Sequence, residues 1–460
     1  MDQEDTKSTL DSPLIPSSEK GFGYGDHTLA KNNNAEIIVE LKKQMRLAGP
    51  LVVVSFLQYS LQMISVMFVG RLDELSLASA SMATSFAGVT GFSFMLGMAS
   101  ALETLCGQAF GAKQYHMLGI HMQRAMLVLT LVSIPIAVLW GFTEEIFTML
   151  KQDPEISMHA GLYAWWLIPS ILPYGLLQCQ LRFLQAQNNV LPLIISTGIS
   201  SLVHVLACWT SIFRFGFGNK GFSKEALDDL LSFIELGIPS ALMVCLEQWS
   251  YEFLIIVSGL LSNPKLETSM MSISMNTSAV AFRIPFGLGS AISTRVSNEL
   301  GAGRPYAARL AVLIVMFLAV TQGLLLSSIA VAVRSIWGYM YTNDEELVRY
   351  LASVMPVLAI SNFLDGMQTV LSGTTRGCGW QKIGAYVNLG SYYLVGLPFA
   401  IILTFVFHFG GKGLWMGIMC GSGLQALLLC AITMHTNWEQ EAMKSKARVF
   451  ASTIPTNLAS

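Results

Sequence analysis

Two carboxylates interrupt long apolar stretches of this chain. Glu247 sits near the middle of one run, and Asp365 sits near the middle of another, within Asn362-Phe363-Leu364-Asp365-Gly366-Met367-Gln368. A carboxylate at the centre of a bilayer costs roughly 2.5–3.5 kcal/mol on insertion scales, so it marks a functional site by default. Loss of water disfavours the ionised form of a carboxyl. Such a group can therefore take up a proton and release it again, which is the chemistry of coupling. Neither acid has a basic neighbour one helical turn away. Tyr251 follows Glu247 by four residues, and Gln368 and Thr369 follow Asp365 by three and four. That spacing puts each on the face of its acid, where it can orient the carboxyl or touch a bound molecule. Glu252 lies about 140° round the helix from Glu247 and forms a separate candidate. Asn276, in Asn276-Thr277-Ser278, is formally a glycosylation sequon, but inside an apolar run it reads as a hydrogen-bonding group between helices. The plainer account of both acids is similar: each hydrogen-bonds a neighbouring helix and fixes packing. Arg283, just before Pro285, is a third charge that could neutralise either acid or reach for the interface.

No glycine-rich phosphate loop, nucleophile elbow or metal-ligand spacing appears. The seven cysteines are scattered and mostly apolar in context, as buried packing residues would be. The expectation is a protein that is not an enzyme and holds no cofactor or metal.

The elements that must carry these residues are membrane helices. Of 460 residues, 53% are hydrophobic and only 12% charged, against about 25% charged in a soluble domain. A net charge of −2 lacks the basic stripe that nucleic acid requires. Apolar runs fall near 48–70, 78–102, 122–142, 159–181 and 189–214, and again near 236–261, 271–293, 308–334, 347–371, 383–408 and 412–436. Each is long enough to cross the hydrocarbon as a helix. The fold class is an all-α polytopic membrane protein with about eleven spans in two lobes. Residues 1–40 read as a disordered cytoplasmic tail, 41–221 as a five-span lobe, 222–437 as a six-span lobe and 438–460 as a polar tail.

The two series are copies of one another. Pro50 matches Pro239 at an offset of 189, with Gln58 opposite Glu247. At an offset of 190, Gly97 meets Gly287, Thr104 meets Thr294, Gln108 meets Asn298, and Gly111-Ala112 meets Gly301-Ala302. Gly410-Gly411-Lys412-Gly413 leads into a final span, whereas its counterpart Gly218-Asn219-Lys220-Gly221 leads into polar Phe222-Ser223-Lys224-Glu225. The first series lacks a sixth crossing. Basic residues say the same, since Lys42, Lys43, Arg46, Lys113, Arg304 and Arg309 all belong on the cytoplasmic side. Five crossings from an inside N-terminus would put the second lobe the wrong way round. It must then invert, hold a re-entrant segment or misassemble.

Glu103-Thr104-Leu105-Cys106-Gly107-Gln108-Ala109-Phe110-Gly111-Ala112 resembles the signature closing the second span of the multidrug and toxic compound extrusion (MATE) family. Ser293-Thr294-Arg295-Val296-Ser297-Asn298-Glu299-Leu300-Gly301-Ala302-Gly303 resembles its partner in the second half, and the stretch from Arg376 to Gly390 is similar to the family's tenth and eleventh spans. The likeness runs from about residue 40 to 440, to the plant branch called DETOXIFICATION proteins. It implies two six-helix lobes and exchange of small organic compounds for protons or sodium ions by alternating access, protons being general in the plant branch. The expected protein is a monomer in a vacuolar or plasma membrane. The likeness also implies that Glu247 and Asp365 match the membrane acids that plant-type members use. Some bacterial members carry a coupling aspartate in the first span, where this chain has Gln58 and Gln62. Glu103, Gln108, Arg295, Asn298 and Glu299 fall in the signatures and read as gate or loop-anchoring residues. The competing expectation is a shortened isoform that no longer transports and acts only as a membrane-embedded partner.

Overall fold

The computed structural model describes residues 29–69, 74–150, 152–199 and 230–451. All regular structure among them is helical. The first lobe contains α1 (Leu29–Val69), then α2, which runs through Glu74–Ala87, a π-helical turn at Gly88–Phe92, Ser93–Ala99 and Ala101–Gly111. It continues with α3 (Tyr115–Gly141), α4 (Pro154–Ala186) and the start of α5 (191–199). The second lobe contains α6 (Leu230–Ser258), α7 (Pro264–Gly301), α8 (Pro305–Ala332), α9 (Glu345–Cys378), α10 (Gln381–Val406) and α11 (Gly411–Met434). A last helix, α12 (Trp438–Ala451), lies beyond the spans. Eight of the described helices are long and apolar enough to cross a membrane.

Several helices extend past the apolar runs. α7 spans Pro264–Gly301 and α3 begins at Tyr115. Their polar ends stay helical because partners in the other elements satisfy them, which hydropathy alone does not register. The same holds at the N-terminus, where the helix begins at Leu29 and Glu40 is buried. The starts of α4 and α9 are fixed locally: Asp153 accepts hydrogen bonds from the Glu155 and Ile156 amides at 2.9 and 3.1 Å, and Asp344 from Glu346 at 2.9 Å. Both are N-caps that satisfy otherwise orphaned donors.

The duplication reappears as packing. Gly97 of α2 lies against the backbone of Ala241 in α6, and its copy Gly287 of α7 lies against Val52 in α1. Val52 and Ala241 are themselves counterparts at the offset of 189. Each lobe thus sets its first helix against the second helix of the other. Gly111 likewise faces the Asn298 carbonyl, and Gly301 faces the Gln108 carbonyl. An apolar core made of Leu47, Leu51, Val54, Leu288, Ile292, Val296 and Val315 closes the seam beside these contacts.

The second lobe is not inverted. Its basic loops meet those of the first lobe at one end, since Arg376 of α9 reaches Glu103 of α2 and Asn298 of α7 bonds the Ala186 carbonyl. Consequently α5 and α6 both start at the basic end. Residues 200–229, with Cys208 and the polar stretch from Gly216 to Glu225, lie outside the described residues.

Residues beyond Trp438 do more than form a polar tail. Trp438, Glu441, Ala442, Ser445 and Val449 recur at helical spacing and are buried, so α12 docks one face on the basic end. Arg448 donates to Gln108 Oε1 at 2.8 Å, and the Trp380 indole donates to Glu441 at 3.0 Å.

Gly301→Ala places a methyl group against the Gln108 carbonyl and should destabilise the protein by overpacking, about 1–3 kcal/mol. Gly119→Ala enters open space within α3 and should not lower the thermal unfolding midpoint in detergent. Single cysteines introduced at the exposed positions Met45 and Met443 should be labelled from the same side of the membrane; labelling from opposite sides would contradict the arrangement.

Candidate functional site

The two membrane acids meet within the second lobe. Tyr251 of α6 donates its hydroxyl to Asp365 Oδ1 of α9 at 2.9 Å. Gln368 of α9 donates Nε2 to Glu247 Oε1 of α6 at 2.8 Å. The same amide lies 3.3 Å from the Thr369 hydroxyl, which in turn donates to the Asp365 backbone carbonyl at 2.5 Å. Each acid is therefore held by a residue from the opposite helix. Asp365 is buried and Glu247 half-buried.

The network extends deeper into the lobe. Ser372 donates to Gln368 Oε1 at 3.2 Å, and Gln425 of α11 reaches Ser372 at 3.3 Å and Asn388 of α10 at 2.7 Å. Asn388 ends the chain on the Met243 carbonyl of α6 at 2.6 Å. Tyr392 packs on Tyr251 with ring centroids 6.4 Å apart, and its hydroxyl is buried beside the pair. Four helices thus converge on two carboxyls and their amide and hydroxyl donors. An ionised carboxyl only accepts hydrogen bonds, whereas a neutral one can also donate, so gaining a proton would reorder this network.

Other sequence candidates lie apart from it. Asn276 donates to the Ser272 carbonyl of its own helix at 3.0 Å, and its neighbours make the interhelical contacts. The Thr277 hydroxyl accepts from the Trp337 indole at 2.9 Å, and Ser278 donates to Asn362 at 2.8 Å. Glu252 makes no bond to either acid among the described residues. Arg283 turns away from both: its guanidinium stacks over Tyr59 of α1, 4.9 Å from the ring centroid, and bonds the Ala279 carbonyl.

A second polar cluster closes the basic end. Glu103 lies between Arg182 of α4 at 2.8 Å and Arg376 of α9 at 3.0 Å, with all three largely excluded from solvent. Thr104 donates its hydroxyl to the Arg376 carbonyl and accepts from Gln381 at 2.7 Å. Gln185 of α4 crosses to the Ser290 carbonyl at 2.8 Å and to Thr294 at 3.1 Å. Gln108 reaches the Gly377 carbonyl at 3.4 Å. Arg295 forks onto Glu40 at 3.0 and 2.9 Å and reaches Glu299 at 2.8 Å. Glu103, Gln108, Arg295, Asn298 and Glu299, from the two signatures, therefore sit on the seam. Arg182, Gln185, Arg376 and Glu40 complete it; in the sequence the two arginines read only as topology signals at span ends, Gln185 carries no charge to mark it, and Glu40 closes the stretch read as a disordered tail but is helical and buried. Among the described residues no group of His, Cys, Asp and Glu could hold a metal. Cys106, Cys179, Cys245 and Cys378 are buried and unpaired in the packing role expected of them.

This architecture of two matched helical lobes, with an acid pair in one and a polar seam between them, defines a polytopic membrane transporter. The MatE family profile matches residues 50–210 and 239–402, and the chain belongs to this family. Protein DETOXIFICATION 16 of Arabidopsis thaliana is 53% identical over 445 residues, covering 90% of this chain and 92% of the relative. Protein DETOXIFICATION 15 of the same plant is 47% identical over 483 residues, covering 98% and 97%. That alignment exceeds the 460 residues of this chain, so at least 23 positions of the relative have no counterpart here. The crystal structure of the eukaryotic MATE transporter AtDTX14 superposes with a TM-score of 0.85 at 42% identity, covering 90% of this chain and 100% of the other. An outward-facing MATE transporter of the MOP superfamily shares the fold at 15% identity and a TM-score of 0.72.

Removing the charge of Glu103 leaves two buried guanidiniums without their carboxylate, a change worth about 3–5 kcal/mol in a buried pair. Glu103→Gln should therefore let the basic end open. Labelling of the buried Cys378 by a membrane-impermeant maleimide should accelerate at least about tenfold, measured in sealed vesicles with that end outward.

Proposed function

We propose that this MATE-family transporter is a proton-coupled antiporter that exports or sequesters small organic compounds, with Glu247 and Asp365 as its proton-binding pair. The observation that carries this reading is the paired cross-helix bonding, Tyr251 to Asp365 and Gln368 to Glu247. One proton exchanged at this pair changes which bonds α6 and α9 can share. The basic end faces the cytoplasm by the distribution of Lys and Arg, and it is shut by the Glu103 cluster. Protons then enter from the opposite side.

The coupling has a direct mechanical route. Asp365 and Gln368 lie on the same helix as Arg376 and Gly377, which touch Glu103 and Gln108 across the seam. Eleven residues separate Asp365 from Arg376, about 16 Å along the axis at the usual rise. A shift of α9 driven by the acid pair would pull directly on the seam. Alternating access is a population shift between two such arrangements. The substrate class follows from the DETOXIFICATION relatives, and the membrane is vacuolar or plasma membrane. The chain works as a monomer.

The same reading includes a shortened first lobe. The first series of apolar runs in the sequence has five members and the second has six. The surplus positions in DETOXIFICATION 15 are enough for one more span. All residues of the acid pair and the seam lie among the described helices, which supports transport over the role of an inert partner.

In proteoliposomes, an imposed pH gradient should drive a fluorescent organic probe across the membrane. The double change Glu247→Gln with Asp365→Asn should reduce this flux to that of protein-free vesicles while insertion is unchanged. Flux that survives the double change would remove the acid pair from the mechanism. Tyr251→Phe deletes one donor and should slow exchange by about two- to tenfold, the kinetic equivalent of one hydrogen bond.

A further inference from the structure

We propose that the seam between the two signature loops holds a phosphate-bearing anion that bridges the lobes at the basic end. A pocket of about 370 Å³ opens there, between the loop that follows α2 and the loop that follows α7, with α12 as a third wall. Three cations line it: Lys113 from the first lobe, Arg304 from the second and Lys446 from α12. Glu299 meets Arg304 at 2.7 Å but also serves Arg295 at 2.8 Å, and Glu441 on α12 is occupied by Lys444 and Trp380. Arg448 of α12 is engaged by Gln108. Lys113 and Lys446 make no ion pair among the described residues. The pocket is therefore left with unbalanced positive charge on both sides of the seam.

The backbone shows that the two loops are equivalent. Lys113 adopts a left-handed conformation, φ 62°, and its counterpart at the offset of 190 is Gly303, φ 69°. Glycine takes this conformation without steric cost, whereas a lysine does not. At Gly303 the absent side chain leaves room for the end of Lys446, which lies where a Cβ would sit. The first lobe thus keeps its own lysine at the strained position. In the second lobe, α12 supplies a lysine over the equivalent glycine. The two loops run into the N-termini of α3 and α8, and helix N-termini favour anions. A phosphate is the anion that fits convergent ammonium and guanidinium groups, one of them a forked donor. Phe450, exposed at the pocket rim, would suit the apolar part of a lipid equally with open solvent. The phosphate can accordingly come from an acidic lipid headgroup or from solution.

The test uses the full chain in nanodiscs of neutral phosphatidylcholine, so that proton coupling plays no part in the readout. Dihexanoyl phosphatidic acid is titrated in one arm and inorganic phosphate in the other, with calorimetric detection. Saturable binding of either probe is expected, and the arm that responds identifies the source. Lys113→Gly together with Lys446→Gln should weaken that binding at least tenfold, whereas Lys382→Gln, an exposed cation outside the pocket, should not. Should the double variant fold poorly, Lys113→Gly alone carries the test, because glycine suits the left-handed backbone. Absence of saturable binding in both arms, or wild-type affinity after removal of the lysines, overturns the proposal.

Discussion

The carboxylate of Glu103 is held out of water between guanidiniums from both lobes. Removing three charges from water is expensive, and the arrangement is stable only while the partners stay within hydrogen-bond distance. Around it the glycines at 97, 111, 287 and 301 allow helices to approach until backbones touch. Apolar packing and close small-residue contacts hold the seam together, and the ion cluster adds charge-assisted bonds of defined geometry across it.

The acid pair and the cluster share α9, and that helix crosses the whole site. From its capped start at Asp344 it passes Asp365, Gln368 and Ser372 and ends at Arg376 and the left-handed Gly379. Gly379 in turn lies under the Arg448 guanidinium of α12. A rotation of α9 would be felt both in the lobe interior and at the seam. The neighbouring α10 is π-helical over Leu389–Gly396 and Ile402–Val406, beside the Tyr392 ring that packs on Tyr251. Such turns are frequent at functional sites, where they displace the helical ladder.

Much of this was legible in the residues themselves. Glu247 and Asp365 stand out because charge inside an apolar run is costly, and Tyr251, Gln368 and Thr369 follow from helical spacing. The duplication was equally plain, since Gly, Pro and Thr positions recur in order, and the structure explains why they recur: each pair occupies equivalent contacts. Spacing along one helix says nothing about which other helix faces it. For that reason Glu252 and Asn276 looked comparable to Gln368, although only Gln368 meets an acid. Arg182 and Arg376 read as ordinary basic residues at span ends, and their shared partner is visible only once the lobes are together. α12 reads as a polar tail because its short buried stripe, Trp438, Glu441, Ala442, Ser445 and Val449, is outnumbered by charged and polar residues on the other faces.

Arg182 and Glu103 belong to the same lobe, whereas Arg376 comes almost two hundred residues later in the chain. The first lobe therefore contains within itself one ion-pair partner for Glu103, and Arg376 adds the bond that ties the same carboxylate to the second lobe.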